Sequence, residues 1–178
     1  MLSTNLPPLA LSVRQPWAWA IIHGGKAIEN RSIGSIISGK MDCRPIAIHA
    51  ATGLTEKEFR WGYDKLSEHG VQCPLPRDLV RGAIIGQVKV VDIVSESASP
   101  WFGRSRPDNR GLVLEEPRPC EPIPAKGELG YFNWERAGAF AGALSWMRKY
   151  ENADGQAGGS SLFDDLPLQF PSKPEKPF

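Results

Sequence analysis

Short apolar runs separated by turns rich in proline and glycine dominate this chain, and most of them predict strands. Three runs are apolar and either rich in β-branched residues or bounded by turn residues, at residues 9–13, 44–51 and 82–94. Such runs are typical of buried strands. Shorter strands are expected at residues 111–115 and 131–134, between proline-bounded turns. Several short strands in this order favour a small barrel over a parallel sheet.

Helical signals flank these strands. Pro16 stands at a first helical position, and the apolar residues after it run to a Gly-Gly pair that can end a helix in a left-handed turn. Thr55 and Glu58 have the spacing of a capping box, and apolar residues follow at helical spacing. This pattern predicts a helix over residues 56–69. A closing helix is expected over residues 138–151, where apolar side chains fall roughly on one face.

The composition changes after Tyr150. Residues 151–178 are rich in Gly, Ser, Pro and Asp, which is typical of a disordered tail. An apolar island flanked by acids lies at residues 160–170, and such islands often dock into the groove of a protein partner. The alternative is a tail that folds back on its own domain. We therefore expect a folded domain at residues 1–150 and a flexible tail at residues 151–178.

Charge limits the kinds of ligand that the protein can attract. The chain has 178 residues, enough for one domain with a core, and its 21 Lys and Arg against 20 Asp and Glu give a net charge of +1. A protein with this balance has no global positive field that would steer it onto long nucleic acid. Any nucleic-acid function must therefore depend on a local patch.

The cysteines and the N-terminal residues indicate in which compartment the protein is expected. Cys43, Cys73 and Cys120 are odd in number and far apart, which indicates neither a disulfide framework nor a zinc site. We predict no metal and no cofactor. No basic leader precedes a sustained apolar run, and no window approaches the roughly 18 apolar residues that a membrane span needs. A reduced, cytoplasmic location without membrane contact is expected.

Charged residues gather at the turn after the first predicted helix, with the spacing Gly24-x-Lys26-x-x-Glu29-x-Arg31. If residues 27–31 are extended, Glu29 and Arg31 project to one face, and Lys26 can point at the same space from the turn. Arg31 offers a planar fork for a phosphate or a base edge, and Lys26 can act as a phosphate anchor or a general base. Glu29 can orient either cation or accept a hydrogen bond from a cytosine-like amine. The alternative is an ion pair that only holds the turn, worth about 0–1 kcal/mol.

This spacing, preceded by the residues SVRQPWA, resembles the G-x-K-x-x-E-x-R signature of the ASCH family, the activating-signal-cointegrator homology domain. The later blocks RPIAIHAA, GAIIGQVKVVDI and EPIPAKGELGYF fall in the expected order, so the resemblance spans residues 9–135. It implies an α+β fold similar to PUA domains: a small, mostly antiparallel β-barrel with flanking helices and a cleft beside the signature. It also implies binding of RNA or of a nucleotide derivative.

Residues outside the charged turn are further candidates for ligand contact. Arg14 and Gln15 precede the first helix and can form the rim of the cleft, or simply lie exposed at a strand end. Trp17 can stack on a base or belong to the core. Trp101 lies in a loop with three arginines, the best aromatic and basic cluster in the chain, or else it plugs the barrel mouth.

Three later residues are also candidates. His49 lies within an apolar strand, where a histidine of the core or of the cleft floor is expected more than a catalytic one. Lys126 and Tyr131 come from late strands, and in a closed barrel they would face the Lys26 cleft.

Three functions remain open at this point. The first is a binder of RNA or a nucleotide derivative that uses the Lys26, Glu29 and Arg31 cleft. The second is a metal-independent hydrolase, either a ribonuclease in which Lys26 acts with Tyr131 or His49, or an N4-acylcytidine amidohydrolase in which amides near Gly24 stabilise an oxyanion. The acylcytidine hydrolases carry a threonine at the position of Glu29, which is a departure here. The third is an adaptor that recruits a protein through its tail.

Overall fold

Six strands and three α-helices make up the computed structural model, which describes residues 5–151. The strands are β1 Leu9–Val13, β2 Ile28–Ser32, β3 Pro45–Ala50, β4 Ala83–Val94, β5 Asn109–Pro124 and β6 Tyr131–Asn133. The α-helices are α1 Trp17–His23, α2 Ile33–Ser38 and α3 Glu56–Glu68, and 3₁₀ turns cover Pro76–Asp78 and Ser145–Tyr150. The predicted tail and its island at residues 160–170 lie outside the described residues.

All six strands belong to one mixed sheet in the order β2-β5-β4-β3-β1-β6. Every neighbouring pair is antiparallel except β1 and β3, which run parallel. The predicted α+β class with a mostly antiparallel sheet is therefore confirmed. The pairing of β3 with β4 is irregular, because its register shifts between Ile48 and His49.

The sheet curls into a half-barrel and does not close by strand pairing, since β2 and β6 are its two edges. A guanidinium nitrogen of Arg31, in β2, donates to the carbonyl oxygen of Ser12, in β1, at 2.8 Å. The backbone after α2 packs on the start of β6, where the Tyr131 amide donates to the Gly39 carbonyl at 3.0 Å. Gly130 adopts a φ of +70° and lies against Gly39 too closely for a side chain. These contacts bridge the open side of the barrel.

The core has two main layers. One lies between the curled sheet and α1, and its fully buried members include Leu11, Ile21, Ile46, Ile48 and Leu112. The other lies between α1, α3 and the Ser145–Tyr150 turn, and its members include Phe59, Leu66, Met147 and Tyr150. Helix α1 therefore separates the sheet from α3. None of the helices within residues 5–151 has the length and apolar content needed to cross a membrane.

Helix α3 follows its local signals. Thr55 accepts from the Glu58 amide at 3.2 Å, and the Glu58 carboxylate accepts from the Thr55 amide at 2.8 Å, which completes the predicted capping box. The helix ends one residue before the predicted end. Helix α1 also forms where predicted, and Gly25 takes the left-handed turn with a φ of +72°.

The predicted closing helix over residues 138–151 is wrong. Residues 138–144 are irregular, and only Ser145–Tyr150 forms a 3₁₀ turn. Two glycines in this segment weaken a helix, and tertiary hydrogen bonds hold its backbone instead: Arg81 donates to the Gly142 carbonyl and accepts from the Ala141 amide. Strand β5 is longer than predicted, and α2 was not predicted.

Candidate functional site

The charged turn folds into a buried ion pair. Gly25 turns the chain out of α1, and the Lys26 amide donates to the Ala20 carbonyl at 3.0 Å, so that Lys26 is fixed to the end of the helix. Its ammonium lies 2.9 Å from Oε2 of Glu29 and also donates to the Ile28 carbonyl. Lys26 is 5 % exposed and Glu29 is 8 % exposed. Since both charged groups are buried, removing either one would leave the other buried without a partner and would destabilise the protein.

Arg31 completes this cluster from the other side of the carboxylate. Its guanidinium lies 3.2 Å from Oε1 of Glu29, while Lys26 occupies Oε2. Burial raises the pKa of the Glu29 carboxyl, but the Lys26 and Arg31 charges outweigh this effect, so the pKa lies below its ordinary value. Glu29 is therefore ionised at neutral pH. Two cations against one anion leave a net charge of +1 at this point.

The Arg31 guanidinium points away from the open cleft. It donates to the Ser12 carbonyl at 2.8 Å, and it is not among the side chains that line the cleft. Its Nε atom is buried and has no hydrogen-bond partner in the described part of the chain. The geometry therefore gives Arg31 a part in fixing Glu29 and bridging the barrel edge.

A cleft of about 590 Å³ opens above the Lys26 and Glu29 pair. Its volume lies within the roughly 300–1,000 Å³ that is typical of small-ligand sites. Three elements besides the signature line it: α1, one face of α3, and a loop at residues 100–105. The lining side chains that carry the arguments below are Trp17, Lys26, Glu29, Asn30, Trp61, Lys65, Glu68, His69, Trp101 and Arg104.

Two tryptophans form one aromatic part of the cleft. The Lys26 ammonium lies 5.8 Å from the centroid of the Trp17 ring, within cation–π range. The Trp61 ring meets Trp17 edge to face at 5.3 Å and 74°. Trp17 is half-buried and packs against both core layers, and it also lines the cleft. Its predicted stacking on a base stays a prediction. Trp61 is 57 % exposed and was missed by the sequence analysis, because it lies on the polar side of a helix.

The predicted Trp101 loop is fixed to the signature strand by Asn30. The Asn30 amide donates to the Trp101 carbonyl at 2.8 Å, and its oxygen accepts from the Gly103 amide at 2.8 Å. Asn109 donates to the same Asn30 oxygen at 3.0 Å and to the Gly103 carbonyl at 2.8 Å. Asn30 occupies a variable position inside the signature spacing, which is why the pattern alone did not single it out.

The Trp101 ring stacks on His69, which follows the last turn of α3. The ring centroids lie 4.1 Å apart with an angle of 16° between the planes. Nδ1 of His69 donates to the Lys65 carbonyl at 2.7 Å, so the imidazole is held at the helix end. Both rings line the cleft. The loop thus forms a wall of the cleft and does not plug the barrel.

Three predicted contact residues next to α1, namely Arg14, Gln15 and Gly24, lie outside the cleft. Gln15 is buried, donates to the Val80 carbonyl at 2.7 Å and accepts from the Trp19 amide at 3.0 Å. Arg14 is exposed and pairs with Glu58 at 2.6 Å. The Gly24 amide donates to the Ala20 carbonyl at 2.9 Å and closes the helix. These contacts hold the two ends of α1 in place. None of these three residues lines the cleft.

His49, Lys126 and Tyr131 are likewise placed apart from the cleft lining. His49 is buried, lies 2.9 Å from Oγ of Ser12 and 3.0 Å from the Ala125 carbonyl, and burial lowers its pKa. The Tyr131 hydroxyl donates to the Asp42 carbonyl at 2.8 Å, and burial raises its pKa. Lys126 is exposed. Their predicted roles stay predictions.

The donor set of the cleft suits an organic anion with a flat ring. Among residues 5–151, no group of three or more His, Cys, Asp or Glu side chains is arranged to hold a metal ion. The cleft combines cations, two carboxylates and several aromatic rings, which are the groups that bind phosphates, base edges and base faces respectively.

No family model and no curated protein matches this chain. Solved structures that are similar to it include two of ASCH proteins from Zymomonas mobilis. One, a point mutant of ZmASCH, is 16 % identical over 65 % of this chain and 72 % of its own, with a TM-score of 0.36. The other is 14 % identical over 79 % of this chain and 90 % of its own, with a TM-score of 0.34. These neighbours carry the name of the family that the signature at residues 24–31 resembles.

Proposed function

We propose that this protein is an ASCH-type binder of RNA or of a nucleotide derivative, and that its ligand enters the cleft above Lys26 and Glu29. One observation carries the proposal: a buried, ionised carboxylate held between two cations forms the floor of a cleft whose walls are aromatic. This combination provides an acceptor for a base edge, positive charge for a phosphate and ring surfaces for stacking.

The carboxylate has the capacity to contact a ligand. An ionised carboxylate offers about four acceptor positions, and Lys26 and Arg31 use one oxygen each. Glu29 can therefore still accept a hydrogen bond from an exocyclic amine of a base. The net charge of +1 in this cluster favours an anionic ligand, even though the whole chain is nearly neutral.

Stacking supplies the larger part of the affinity in this proposal. A base stacked on an aromatic side chain gains about 1–3 kcal/mol in single-strand binders. Because few cations line the cleft, the salt dependence of binding should be shallow, with a slope of about −0.7 per phosphate contacted in a single strand. This profile fits recognition of an unpaired base more than recognition of a duplex.

Catalysis on the same cleft is the second candidate. The Lys26 ammonium donates to both Glu29 and the Ile28 carbonyl, so it is held as a hydrogen-bond donor. This arrangement favours a binding role, since a general base needs a free lone pair. The adaptor alternative depends on residues 160–170, which lie outside the described residues, and it is kept for the experiment below.

The deciding experiment measures binding and chemistry together. Wild-type protein and Lys26→Ala are incubated with total tRNA, single-stranded RNA and a panel of nucleotides and N4-acylated cytidines. Affinities are measured by calorimetry, and products are measured by mass spectrometry. We expect wild-type binding, no new products and a loss of affinity in Lys26→Ala of about tenfold or more, as for one charge-assisted contact.

The matched control is Lys149→Ala, which removes an exposed lysine that pairs with Glu56 at 3.0 Å. Thermal unfolding of each variant verifies that it is folded. A folded Lys26→Ala variant that binds as tightly as wild type would contradict the proposal. New RNA ends or loss of an acyl group, abolished in Lys26→Ala, would instead establish the hydrolase. Capture of a protein that is lost on deleting residues 151–178 would establish the adaptor.

A further inference from the structure

One face of α3 runs along the cleft. Trp61, Lys65 and His69 are spaced four residues apart, which places them on the same side of the helix, and all three line the cleft. At a rise of 1.5 Å per residue, Trp61 and His69 are separated by roughly 12 Å along the helix axis. The cleft therefore extends over about two helical turns.

The two ends of this face carry separate ring surfaces. At one end, Trp61 contacts Trp17, whose ring lies 5.8 Å from the Lys26 ammonium. At the other end, His69 stacks on Trp101 at 4.1 Å. The first surface belongs to the signature cluster. The second is formed by residues outside the signature, and the proposed function does not require it.

Cations lie beside the second surface. Lys65, between the two ends of the face, forms an exposed pair with Glu68 at 2.7 Å. Pairs of this kind are weak, so a phosphate can compete for the ammonium. Arg104, in the loop after Trp101, is exposed and donates to the Ser97 carbonyl at 2.7 Å. Glu68 also lines the cleft, and its carboxylate would repel a phosphate placed next to it.

The ring pair is rigidly supported. Asn30 bonds to both ends of the short segment from Trp101 to Gly103, and Asn109 bonds to Asn30 and Gly103. On the other side, the His69 imidazole is fixed by its hydrogen bond to the Lys65 carbonyl. A surface held in this way loses little freedom when a flat ligand stacks on it, which favours binding.

We infer that the face of α3 forms a second subsite, and that the natural ligand is a single-stranded segment with one base on the Trp61 and Trp17 surface and another on the His69 and Trp101 surface. This rests on the proposed function. Bases stacked on each other are about 3.4 Å apart, whereas the helix positions that carry the two ring surfaces are roughly 12 Å apart along the axis. Two bases held on these surfaces would therefore be splayed and would stack on separate side chains. Lys65 and Arg104 would contact the phosphates of this segment.

The test compares a ligand that fills one subsite with a ligand that fills both. Affinities of nucleoside 5′-monophosphates and of single-stranded tetranucleotides are measured by calorimetry with the full chain. We expect the best tetranucleotide to bind on the order of tenfold more tightly than the best monophosphate, as an additional stacked base provides. His69→Ala should abolish this gain, so that the tetranucleotide binds about as tightly as the monophosphate, whereas Trp61→Ala should weaken the binding of both ligands.

The matched control is His23→Ala, since His23 also lies at a helix end beside a tryptophan, at 5.9 Å from Trp19, but outside the cleft. Trp101→Leu is the second variant, because it keeps apolar volume and removes the flat ring; it should also abolish the gain. Equal binding of monophosphate and tetranucleotide, or a gain that survives in both His69→Ala and Trp101→Leu, would overturn the second subsite alone. If neither ligand binds, the proposed function fails with it.

Discussion

The Lys26 ammonium and the Glu29 carboxylate are joined at 2.9 Å beneath the cleft, and both side chains are buried. Arg31 holds the second carboxylate oxygen at 3.2 Å. The consequence is that the floor of the candidate site is also a structural element: it fixes the turn after α1 to the edge strand β2. Changes to this cluster should therefore affect folding and binding together.

Replacing Glu29 with Gln should destabilise the fold by about 3 kcal/mol, because two cations lose their partner and one of them is buried. The free energy of unfolding in urea measures this loss. Glu68→Gln is the matched control, since Glu68 pairs with Lys65 at 2.7 Å but is 58 % exposed, and it should cost under about 1 kcal/mol. Equal losses in the two variants would show that the Glu29 pair contributes no more than a surface pair.

Lowering the pH should decrease the free energy of unfolding, because it protonates Glu29. Its carboxyl pKa is lower in the folded state than the ordinary value of 4.5. A group of this kind stabilises the fold fully above its unfolded pKa, and this contribution is lost as the pH falls through the folded pKa. The free energy of unfolding of wild type should therefore fall from about pH 5 downward more steeply than that of Glu29→Gln. Parallel curves for the two proteins would rule out this role.

Asn30→Ala should loosen the wall of the cleft without removing a ring. The side chain bonds to both Trp101 and Gly103, and losing such half-buried hydrogen bonds costs about 1–3 kcal/mol. We expect faster proteolysis within residues 100–105 and weaker ligand binding. Asn133→Ala is the control, since Asn133 is exposed in β6. Unchanged proteolysis and unchanged affinity in Asn30→Ala would contradict a positioning role.

Gly62→Ala should separate the two tryptophans of the cleft. A Cβ at Gly62 would lie 2.5 Å from Cγ of Pro16, so α3 must move away from the start of α1. Overpacking of this kind costs about 1–3 kcal/mol, and the shift changes how Trp17 meets Trp61. Thermal unfolding and the near-ultraviolet circular dichroism of tryptophan measure both effects. Gly142→Ala, where a Cβ would contact nothing within 4 Å, should leave both unchanged.

Local signals fixed the elements that depend on neighbouring residues. The capping box at Thr55 and Glu58 predicted α3 because its hydrogen bonds close within four residues. The apolar runs predicted β1, β3 and β4 for a similar reason, since a buried strand can be recognised from the apolar character of consecutive residues. The spacing from Gly24 to Arg31 predicted that Lys26, Glu29 and Arg31 act together, and the three do form one cluster.

Tertiary packing decided what local pattern does not contain. Residues 138–144 are irregular because backbone groups in this segment form hydrogen bonds with Arg81, which is far away in sequence. Arg31 points to Ser12 because the sheet curls and brings β2 toward β1. In the same way, α3 and the Trp101 loop meet over the signature only in the folded chain, since Asn30 joins residues about seventy positions apart. The sequence by itself determined the charged floor of the site, and only the fold decided which rings surround it, because such contacts depend on distance in space and not on distance along the chain.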